Sequence, residues 1–310
     1  MSTFLFTHPA CLEHDTGDYH PECAERLRMV LQVLDGEEFA GLSREEAPRA
    51  STAQLMRAHA MDHLDFVRDN MPPPGEYAHL DPDTVISEGS WEAALRSAGA
   101  AVAAVDAVLS GQCRNAFCAT RPPGHHAEHS AVLGFCLFNN VAVGAMHALA
   151  AHGLKRVAVF DIDVHHGNGT QDIFYDKQGL LYVSTHQDES YPGTGLPEET
   201  GVYDNILNIP LPAGSGSEPW REAVTTKVLP AIRAFAPELI MISAGFDAHA
   251  SDPMAHMRLS TEDFAWVTEQ LCALAAEVCG GKVVSVLEGG YDLKALSVSV
   301  AAHVRALMGF

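Results

Sequence analysis

Seven short segments of the chain are predominantly apolar and rich in β-branched residues, and this pattern restricts the fold strongly. The candidate strands are residues 3–7, 116–120, 157–161, 180–184, 206–209, 239–243 and 283–287. Between most of them, apolar residues recur at three- and four-residue intervals, which predicts helices at 92–109, 138–151, 220–235, 261–278 and 293–307. A strand without a polar face needs cover on both sides. The alternation therefore predicts an α/β fold with a parallel sheet between helical layers.

We predict one domain over residues 1–310, because no Gly/Ser-rich linker or internal repeat divides the chain. Residues 72–75, rich in Pro and Gly, are predicted as a surface loop. The N-terminus lacks the basic and apolar regions of a signal peptide, and the Ala-rich stretch 98–109 is too short to span a bilayer. Seven cysteines without a CxxC pair indicate reduced thiols, so we expect a cytoplasmic protein.

The net charge of the chain limits the classes of molecule that it is expected to bind. There are 19 basic and 40 acidic residues, a net charge of −21 with histidine neutral. So acidic a chain is a poor candidate for binding nucleic acid or an anionic membrane, and a cationic substrate suits it better. Among its 17 histidines, eight lie between residues 121 and 186. That concentration indicates a functional region.

Five polar clusters directly follow predicted strands. They begin at Arg121, Asp161, Ser184, Gly245 and Glu288. In an open α/β sheet, ligands bind outside the carboxyl ends of the strands. We therefore expect these five clusters to converge on one crevice.

The cluster that begins at Asp161 reads Asp-Ile-Asp-Val-His-His, before a Gly-Asn-Gly turn. In an extended chain Asp161, Asp163 and His165 share one face. Two carboxylates and an imidazole are costly to bury unless a cation pairs with them. Catalytic zinc typically has three protein ligands, and our candidates are Asp163, His165 and Asp247. Fe²⁺ or Co²⁺ would also suit these ligand types.

Two adjacent histidines, His125 and His126, follow a rigid Pro-Pro-Gly turn. Imidazoles beside a metal site are suited to proton transfer, because their pKa lies near neutrality. Asp161 and Asn168 are candidate partners that would orient them.

Tyr291 follows two glycines, which permit close approach of the backbone. Its hydroxyl is a candidate donor to a developing oxyanion.

His166 and His186 are expected to be packed, structural histidines.

The chain resembles the zinc-dependent histone deacetylase family, in its class II and prokaryotic deacetylase-like amidohydrolase branch. The resemblance extends from the His8-Pro9 and His20-Pro21-Glu22 region to Tyr291. It is carried by Arg121-Pro-Pro-Gly-His-His-Ala, Gly134-Phe-Cys-Leu-Phe-Asn-Asn140, Asp161-Ile-Asp-Val-His-His-Gly-Asn-Gly-Thr-Gln171, Tyr191-Pro-Gly-Thr-Gly195, Ser243-Ala-Gly-Phe-Asp-Ala248 and Glu288-Gly-Gly-Tyr291.

The resemblance implies a single-domain arginase–deacetylase fold, with a parallel sheet of roughly eight strands between helices. It implies zinc on the three ligands chosen above, and His126 as general base and then general acid. His125 would be an electrostatic partner held by Asp161, and Tyr291 would polarise the acyl carbonyl. Residues flanking a narrow substrate channel would be Gly134, Phe135, Tyr191, Met254 and Gly289.

Further sites are implied by the same resemblance. A structural potassium ion would be held by oxygens of Asp161, Asp163, His165, Ser184 and Thr185. A second would be held by the carbonyls of Phe174, Lys177 and Leu180. Arg26 matches a residue that lines an internal channel for acetate, and Asp83 is a candidate anchor for the substrate backbone.

Departures from the family pattern bear on the substrate. Ala24 replaces a proline in a rim loop and affects no ligand. Arginases carry Asp-x-His-x-Asp and a further aspartate for a second metal, whereas His166 and Gly167 follow His165 here, so a binuclear site is disfavoured. Met254 stands where polyamine deacetylases tend to carry an acidic residue, which favours acyl-lysine over acetylpolyamines.

We therefore predict a zinc-dependent hydrolase that removes acetyl or another short acyl group from amines such as acetyl-lysine. An acetylpolyamine amidohydrolase shares all the chemistry and is the alternative within the class. The alternative of another class is a non-catalytic acyl-binding regulatory module. The expected partner is a small-molecule or peptide N-acyl amine, and the sequence leaves open a homo-oligomer, the acyl length and the physiological substrate.

Overall fold

The computed structural model describes residues 2–309, whose strands form one large sheet and a small ribbon. The eight strands of the large sheet are β1 (Thr3–Thr7), β2 (Ser43–Glu46), β5 (Asn115–Cys118), β6 (Val157–Asp161), β7 (Leu180–Gln187), β8 (Ile206–Leu211), β9 (Leu239–Ala244) and β10 (Val283–Leu287). They pair in parallel in the order β2-β1-β5-β10-β9-β6-β7-β8. The ribbon pairs β3 (Ala78–His79) with β4 (Val85–Ile86). The predicted α/β class and parallel sheet are confirmed.

Helices flank the sheet. They are α1 (Ala24–Leu34), α2 (Thr52–Leu55), α3 (Met61–Asp69), α4 (Ser90–Leu109), α5 (Asn140–His152), α6 (Asn168–Phe174), α7 (Ser217–Ala223), α8 (Leu229–Phe235), α9 (Thr261–Val278) and α10 (Leu293–Met308), with 3₁₀ turns at Pro9–Leu12 and Glu37–Phe39. A π-helical segment, Val224–Val228, joins α7 to α8. Of the helices within residues 2–309, none is long and apolar enough to cross a membrane.

Both faces of the sheet are buried at its central strands, which explains why those strands have no polar face. Along β6, Ala158 and Phe160 belong to one apolar cluster, whereas Val157 and Val159 belong to a second cluster on the opposite face. All four side chains are fully buried. Successive residues of a strand point to opposite faces, so helices must cover both sides.

The predicted elements agree well with the structure where they are central and apolar. Strands 3–7, 157–161 and 283–287 and helix 261–278 have the predicted bounds, and 72–75 is a loop. The predicted helix at 220–235 begins earlier, at Ser217, and contains the π-helical segment. The edge strand β2 was not predicted, because its sequence Ser-Arg-Glu-Glu is polar and mostly exposed. The predicted turn at 167–169 is wrong beyond Gly167, since Asn168 begins α6.

The strand order places the five predicted polar clusters side by side. The strands that carry or precede them, β5, β10, β9, β6 and β7, are consecutive neighbours in the sheet. The cluster at Ser184 was predicted to follow its strand but lies inside β7, which continues to Gln187. Because all are parallel, their carboxyl ends share one edge, and the loops that follow them meet there.

Candidate active site

Asp163, His165 and Asp247 lie together at this carboxyl edge, after β6 and β9. Asp163 Oδ1 is 3.1 Å from His165 Nδ1, and Asp247 Oδ2 is 3.2 Å from the same nitrogen. All three side chains are buried, and one ligand atom from each lies within 4.8 Å of the others. β6 ends at Asp161, so the chain beyond it is bent rather than extended, yet the candidate ligands still converge.

The surroundings of this triad fit a divalent cation. Asp247 Oδ1 accepts a hydrogen bond from the Val164 amide at 2.9 Å, but its buried Oδ2, 3.2 Å from His165 Nδ1, has no hydrogen bond of good geometry among residues 2–309. A Cβ on Gly245 would lie 2.1 Å from Asp163 Oδ2, and one on Gly289 would lie 2.1 Å from Asp247 Oδ2. A buried carboxylate oxygen without a good hydrogen bond is costly, and two carboxylates with one imidazole are a donor set that Zn²⁺ accepts.

Electrostatics also make the triad attractive to a cation. Burial alone would lower the pKa of His165, but the adjacent carboxylates of Asp163 and Asp247 raise that pKa to about 10. Burial raises the pKa of Asp247, and the negative charge of Asp163 raises it further. A bound divalent ion would relieve the repulsion between the two carboxylates.

His125 is held between carboxylates. Its Nδ1 lies 3.0 Å from Asp161 Oδ2, and its Nε2 lies 3.8 Å from Asp163 Oδ1. Burial would lower the pKa of His125, but the charges of Asp163 and Asp161 raise it well above its usual value. Glu288 Oε2 accepts the amides of Gly124 and His125 at 2.7 and 3.1 Å, which fixes the loop that carries both histidines.

His126 has an amide partner instead. Its Nδ1 lies 2.8 Å from Asn168 Oδ1, and Asn168 Nδ2 donates to Glu128 Oε1 at 2.8 Å. Because an ionised carboxylate only accepts, Glu128 orients the Asn168 oxygen toward His126. That oxygen requires a proton on Nδ1, so Nε2 of the neutral ring is the basic nitrogen. Burial, and then the positive charges of His125 and His165, lower the pKa of His126 well below its usual value.

Tyr291 follows β10 and closes the other side of the site. Its amide donates to Asp252 Oδ2 at 2.7 Å, and its ring lies 4.8 Å from the guanidinium carbon of Arg26. Burial raises the pKa of Tyr291 well above its usual value, so the hydroxyl is a neutral donor. Arg26 is fully buried and donates to the Gly290 carbonyl at 2.6 Å, which places it behind Tyr291 as a support for this loop.

A cavity of about 390 Å³ reaches these residues, and its lining includes His126, His165 and Tyr291. Phe135 and Tyr191 also line it; the Tyr191 ring centroid is 5.0 Å from that of His126. Met254 and Asp83, both exposed, line it as well.

Two glycines predicted beside the channel differ in position. Gly134 lines the cavity at φ +55°, and a Cβ there would lie 2.5 Å from His126 Cδ2. Gly289 is packed against the carboxylates of Asp163 and Asp247. It therefore makes room for the candidate metal ligands, whereas Gly134 makes room for the candidate base.

Comparison with known proteins identifies the family. Residues 20–307 match the family model described as a histone deacetylase domain. The chain belongs to the histone deacetylase family. A histone deacetylase-like amidohydrolase of Pseudomonas aeruginosa is 41% identical over 88% of this chain and 73% of its own length. The polyamine deacetylase HDAC10 of Mus musculus is 36% identical over 95% of this chain and 46% of its own length.

The deacetylase fold is confirmed by a solved structure, the HDA15 HD domain. It matches with a TM-score of 0.92 and 34% identity, covering 100% of this chain and 89% of that one. The eight-stranded parallel sheet flanked by helices is therefore the fold of this family.

The first potassium position implied by the deacetylase resemblance lies beside the triad. Asp161 and Ser184 are register partners on β6 and β7, and Thr185 is the next residue of β7. The Thr185 hydroxyl oxygen accepts a hydrogen bond from the Trp220 indole at 3.0 Å. The implied ligands thus belong to two paired strands and the bend after β6.

At the second implied potassium position, the carbonyls of Phe174 and Leu180 do converge, with Lys177 in the turn between them. Both carbonyls accept hydrogen bonds from Asn205 Nδ2, at 2.8 and 3.1 Å. These oxygens therefore already have an amide donor, and the structure adds no support for an ion there.

His166 and His186 form hydrogen bonds with residues that do not line the cavity. His166 Nδ1 lies 2.7 Å from Thr194 Oγ1 and its Nε2 lies 3.0 Å from Gln171 Oε1. His186 Nε2 lies 3.1 Å from the Gly195 carbonyl. Both rings are buried, as their structural interpretation requires.

Sequence reasoning gave no individual role to two carboxylates of this site, Glu128 and Glu288. Glu128 lies two residues after the His125-His126 pair, and Glu288 begins the last of the five polar clusters. The spacing of Glu128, two residues after His126, was the available signal. An isolated glutamate does not show which distant amide it will meet, so the contact with Asn168 required the fold.

Proposed function

We propose that this deacetylase-family chain is a zinc-dependent hydrolase that removes acetyl or another short acyl group from a lysine-type amine. The supporting observation is the cavity of about 390 Å³ that joins exposed Met254 to His126, His165 and Tyr291. A cavity with an aromatic wall and a few convergent polar groups at its end is suited to a chain with a reactive amide at its tip.

Asp163, His165 and Asp247 are the proposed zinc ligands. A zinc ion held there would acidify water and polarise the acyl carbonyl. His126 Nε2 is the basic nitrogen and takes the proton of the attacking water, because Asn168 keeps the other proton on Nδ1. His125, paired with Asp161, remains charged and lowers the basicity of its neighbour.

Tyr291 donates its hydroxyl proton in a hydrogen bond to the carbonyl oxygen as negative charge develops there. His126 then returns its proton to the amine nitrogen as the C–N bond breaks. Water thus supplies a hydroxyl group to the acyl carbon and a proton to the amine. The products are a carboxylate and a free amine, which is cationic at neutral pH.

The lining of the cavity favours an acyl-lysine substrate. Phe135 and Tyr191 present aromatic surface to the methylene stem, and Met254 adds an apolar, adaptable side chain. An acetylpolyamine carries a second cationic nitrogen that would need an acidic partner near the mouth. Asp83 is the exposed carboxylate that lines this cavity, so the polyamine reaction is the second candidate.

A substrate panel tests the proposal. Zinc-loaded protein is assayed for acetate release from an acetyl-lysine peptide, acetylputrescine and acetylspermidine, and the acyl length is varied separately on the peptide. We expect the highest kcat/KM for the peptide, and Asp163→Ala should abolish turnover. A strong preference for either polyamine would overturn the lysine assignment. Binding of the peptide without acetate release would instead support the non-catalytic alternative.

A matched variant examines the mouth of the cavity. Met254→Glu adds the acidic group that a polyamine would use, and Met254→Leu is the apolar control. The ratio of kcat/KM for acetylspermidine to that for the acetyl-lysine peptide should rise only in Met254→Glu. An equal ratio in the two variants would show that residue 254 does not select the substrate.

A further inference from the structure

We propose that Asp106, His147 and His152 form a second metal site, for Zn²⁺ or a similar transition-metal cation, remote from the catalytic cavity. His147 Nε2 lies 2.8 Å from Asp106 Oδ1, and His152 Nε2 lies 2.6 Å from the same oxygen. One ligand atom from each residue lies within 4.8 Å of the others. Two imidazole nitrogens that converge on one carboxylate oxygen are a donor set for Zn²⁺, with a position left for water.

The fold holds these ligands on two packed helices. Asp106 is in the last turn of α4, and His147 and His152 are on α5. The helices approach closely: a Cβ on Gly144 of α5 would lie 3.3 Å from the Ala101 Cβ of α4. The site is therefore supported by a rigid interface rather than by a loop.

The position of the site separates it from catalysis. α5 connects β5 to β6, which are parallel, so it runs back from the carboxyl edge of the sheet to the amino edge. His152 is its last residue and lies at that amino edge. An ion bound there would join the C-terminal ends of α4 and α5, a structural role that does not depend on the proposed hydrolase function.

Exposure and protonation both suit a cation. The Asp106 side chain is half exposed and that of His147 is nearly buried, so the cluster is anchored inside and open to water outside. Burial lowers the pKa of His147, which keeps the ring neutral as a ligand must be. Burial would raise the pKa of Asp106, but its hydrogen bonds to both histidines lower it, so the carboxylate is ionised.

Arg57 is the group that competes with the ion. It contacts Nδ1 of His147, which leaves the ring proton on Nε2, facing Asp106. Binding of Zn²⁺ to Nε2 would move that proton to Nδ1, and the partly exposed Arg57 side chain would swing away. Removing the Arg57 charge should therefore strengthen metal binding.

Measuring the number of zinc ions bound per full-length chain tests the second site. After equilibrium dialysis against Zn²⁺, we expect His152→Ala and Asp106→Asn to bind one ion per chain fewer than wild type and to keep their hydrolase activity. Zn²⁺ should raise the Tm of Asp163→Ala, whose catalytic site is disabled, but not that of Asp163→Ala/His152→Ala. His256→Ala, which removes an exposed histidine elsewhere, is the control and should bind as wild type does.

Equal zinc content in wild type, His152→Ala and Asp106→Asn would overturn the second site, whatever the catalytic result. Arg57→Ala is expected to bind the additional ion more tightly, and weaker binding in that variant would contradict the arrangement described. Absence of acetate release by the wild-type protein would count against the proposed function and not against the second metal site. The two proposals therefore fail separately.

Discussion

His125 and His126 are adjacent in the chain, yet their pKa values shift in opposite directions. His125 meets the carboxylates of Asp161 and Asp163, whose charges stabilise its protonated form. His126 is also buried but has no carboxylate against its ring, and burial together with the positive charges of His125 and His165 disfavours its protonated form. Because burial acts on both rings in the same direction, the charges around each ring separate a structural cation from a base.

Replacing Asn168 tests this assignment. Asn168→Leu removes the acceptor that keeps the proton on His126 Nδ1, so we expect kcat to fall by about 10²–10⁴-fold, the usual contribution of acid–base catalysis. Asn168→Asp restores an acceptor at the same atom and should recover part of that loss. Steady-state kinetics with a measurement of bound zinc would show this. If Asn168→Leu and Asn168→Asp reduce kcat equally while both retain zinc, the role of Asn168 in orienting His126 is wrong.

Tyr291→Phe removes one hydroxyl and leaves the ring and the loop in place. In the proposed mechanism this hydroxyl stabilises the developing oxyanion, and loss of such a donor costs about 10²–10³-fold in kcat. Zinc content should be unchanged, because Tyr291 is not among the three proposed ligands. Kinetics and metal analysis on one preparation check both statements. A fully active variant would exclude the oxyanion role.

At the scale of elements, the site depends on loops that start from rigid, buried strands. The ends of β6, β9 and β10 carry Asp163, Asp247 and Gly289 toward one another. The Gly289 amide donates to Asp163 Oδ2 at 2.9 Å, while its missing side chain leaves space for Asp247. A loop residue thus acts on two ligands through its backbone.

Gly289→Ala should therefore weaken metal binding. Its Cβ would lie 2.1 Å from Asp247 Oδ2 and 2.6 Å from Asp163 Oδ2, so both carboxylates would have to move. We expect a loss of about 10–100-fold in zinc affinity, the range for residues that position metal ligands. Competition with a chelating dye measures it. Gly216→Ala is the matched control, because its Cβ would lie 3.5 Å from the nearest atom, the Arg258 carbonyl oxygen.

At the scale of the whole molecule, one buried carboxylate connects segments that are far apart in sequence. Glu22 Oε1 lies 2.8 Å from Arg26 Nη1 and 2.6 Å from Arg121 Nε, and all three side chains are fully buried. Arg26 also donates to the carbonyls of Glu288 and Gly290. The N-terminal region is thereby tied to the loops after β5 and β10.

Glu22→Gln should destabilise the fold strongly, because it leaves two buried guanidinium groups without their counter-charge. We expect the free energy of unfolding to fall by about 3–5 kcal/mol, as for other buried pairs that lose one partner. Urea denaturation measures this loss. Glu25→Gln is the control, since its exposed pair with Arg28 should contribute about 1 kcal/mol or less. Equal effects of the two substitutions would contradict the role given to Glu22.

The same cluster predicts how stability depends on pH. Burial alone would raise the pKa of Glu22, but the charges of Arg121 and Arg26 lower it from 4.5 to about 2. A carboxyl with a depressed pKa in the folded state stabilises the fold fully above its unfolded pKa, and that contribution is lost as the pH falls toward 2. The stability difference between wild type and Glu22→Gln should therefore shrink between pH 4.5 and 2, in urea titrations at several pH values.

Local pattern was sufficient for the class of fold and for the choice of candidate ligands. Burial on both faces makes a strand such as β6 apolar at every position from 157 to 160, and this is visible without coordinates. Asp163, His165 and Asp247 were recognised because polar residues that follow such strands are unusual and chemically matched. The polar edge strand Ser43–Glu46 lacked that signal and was missed.

Which of these residues come into contact depends on the tertiary structure. Strands that occur along the sequence as β5, β6, β7, β9 and β10 lie in the sheet as β5-β10-β9-β6-β7, and this order brings Asp247 beside Asp163. It also brings Glu128 to Asn168 and Asp106 to the histidines of α5. Such contacts join residues distant in sequence, and the packing of the entire sheet and its helices sets them, whereas periodicity reports only the burial of neighbouring residues.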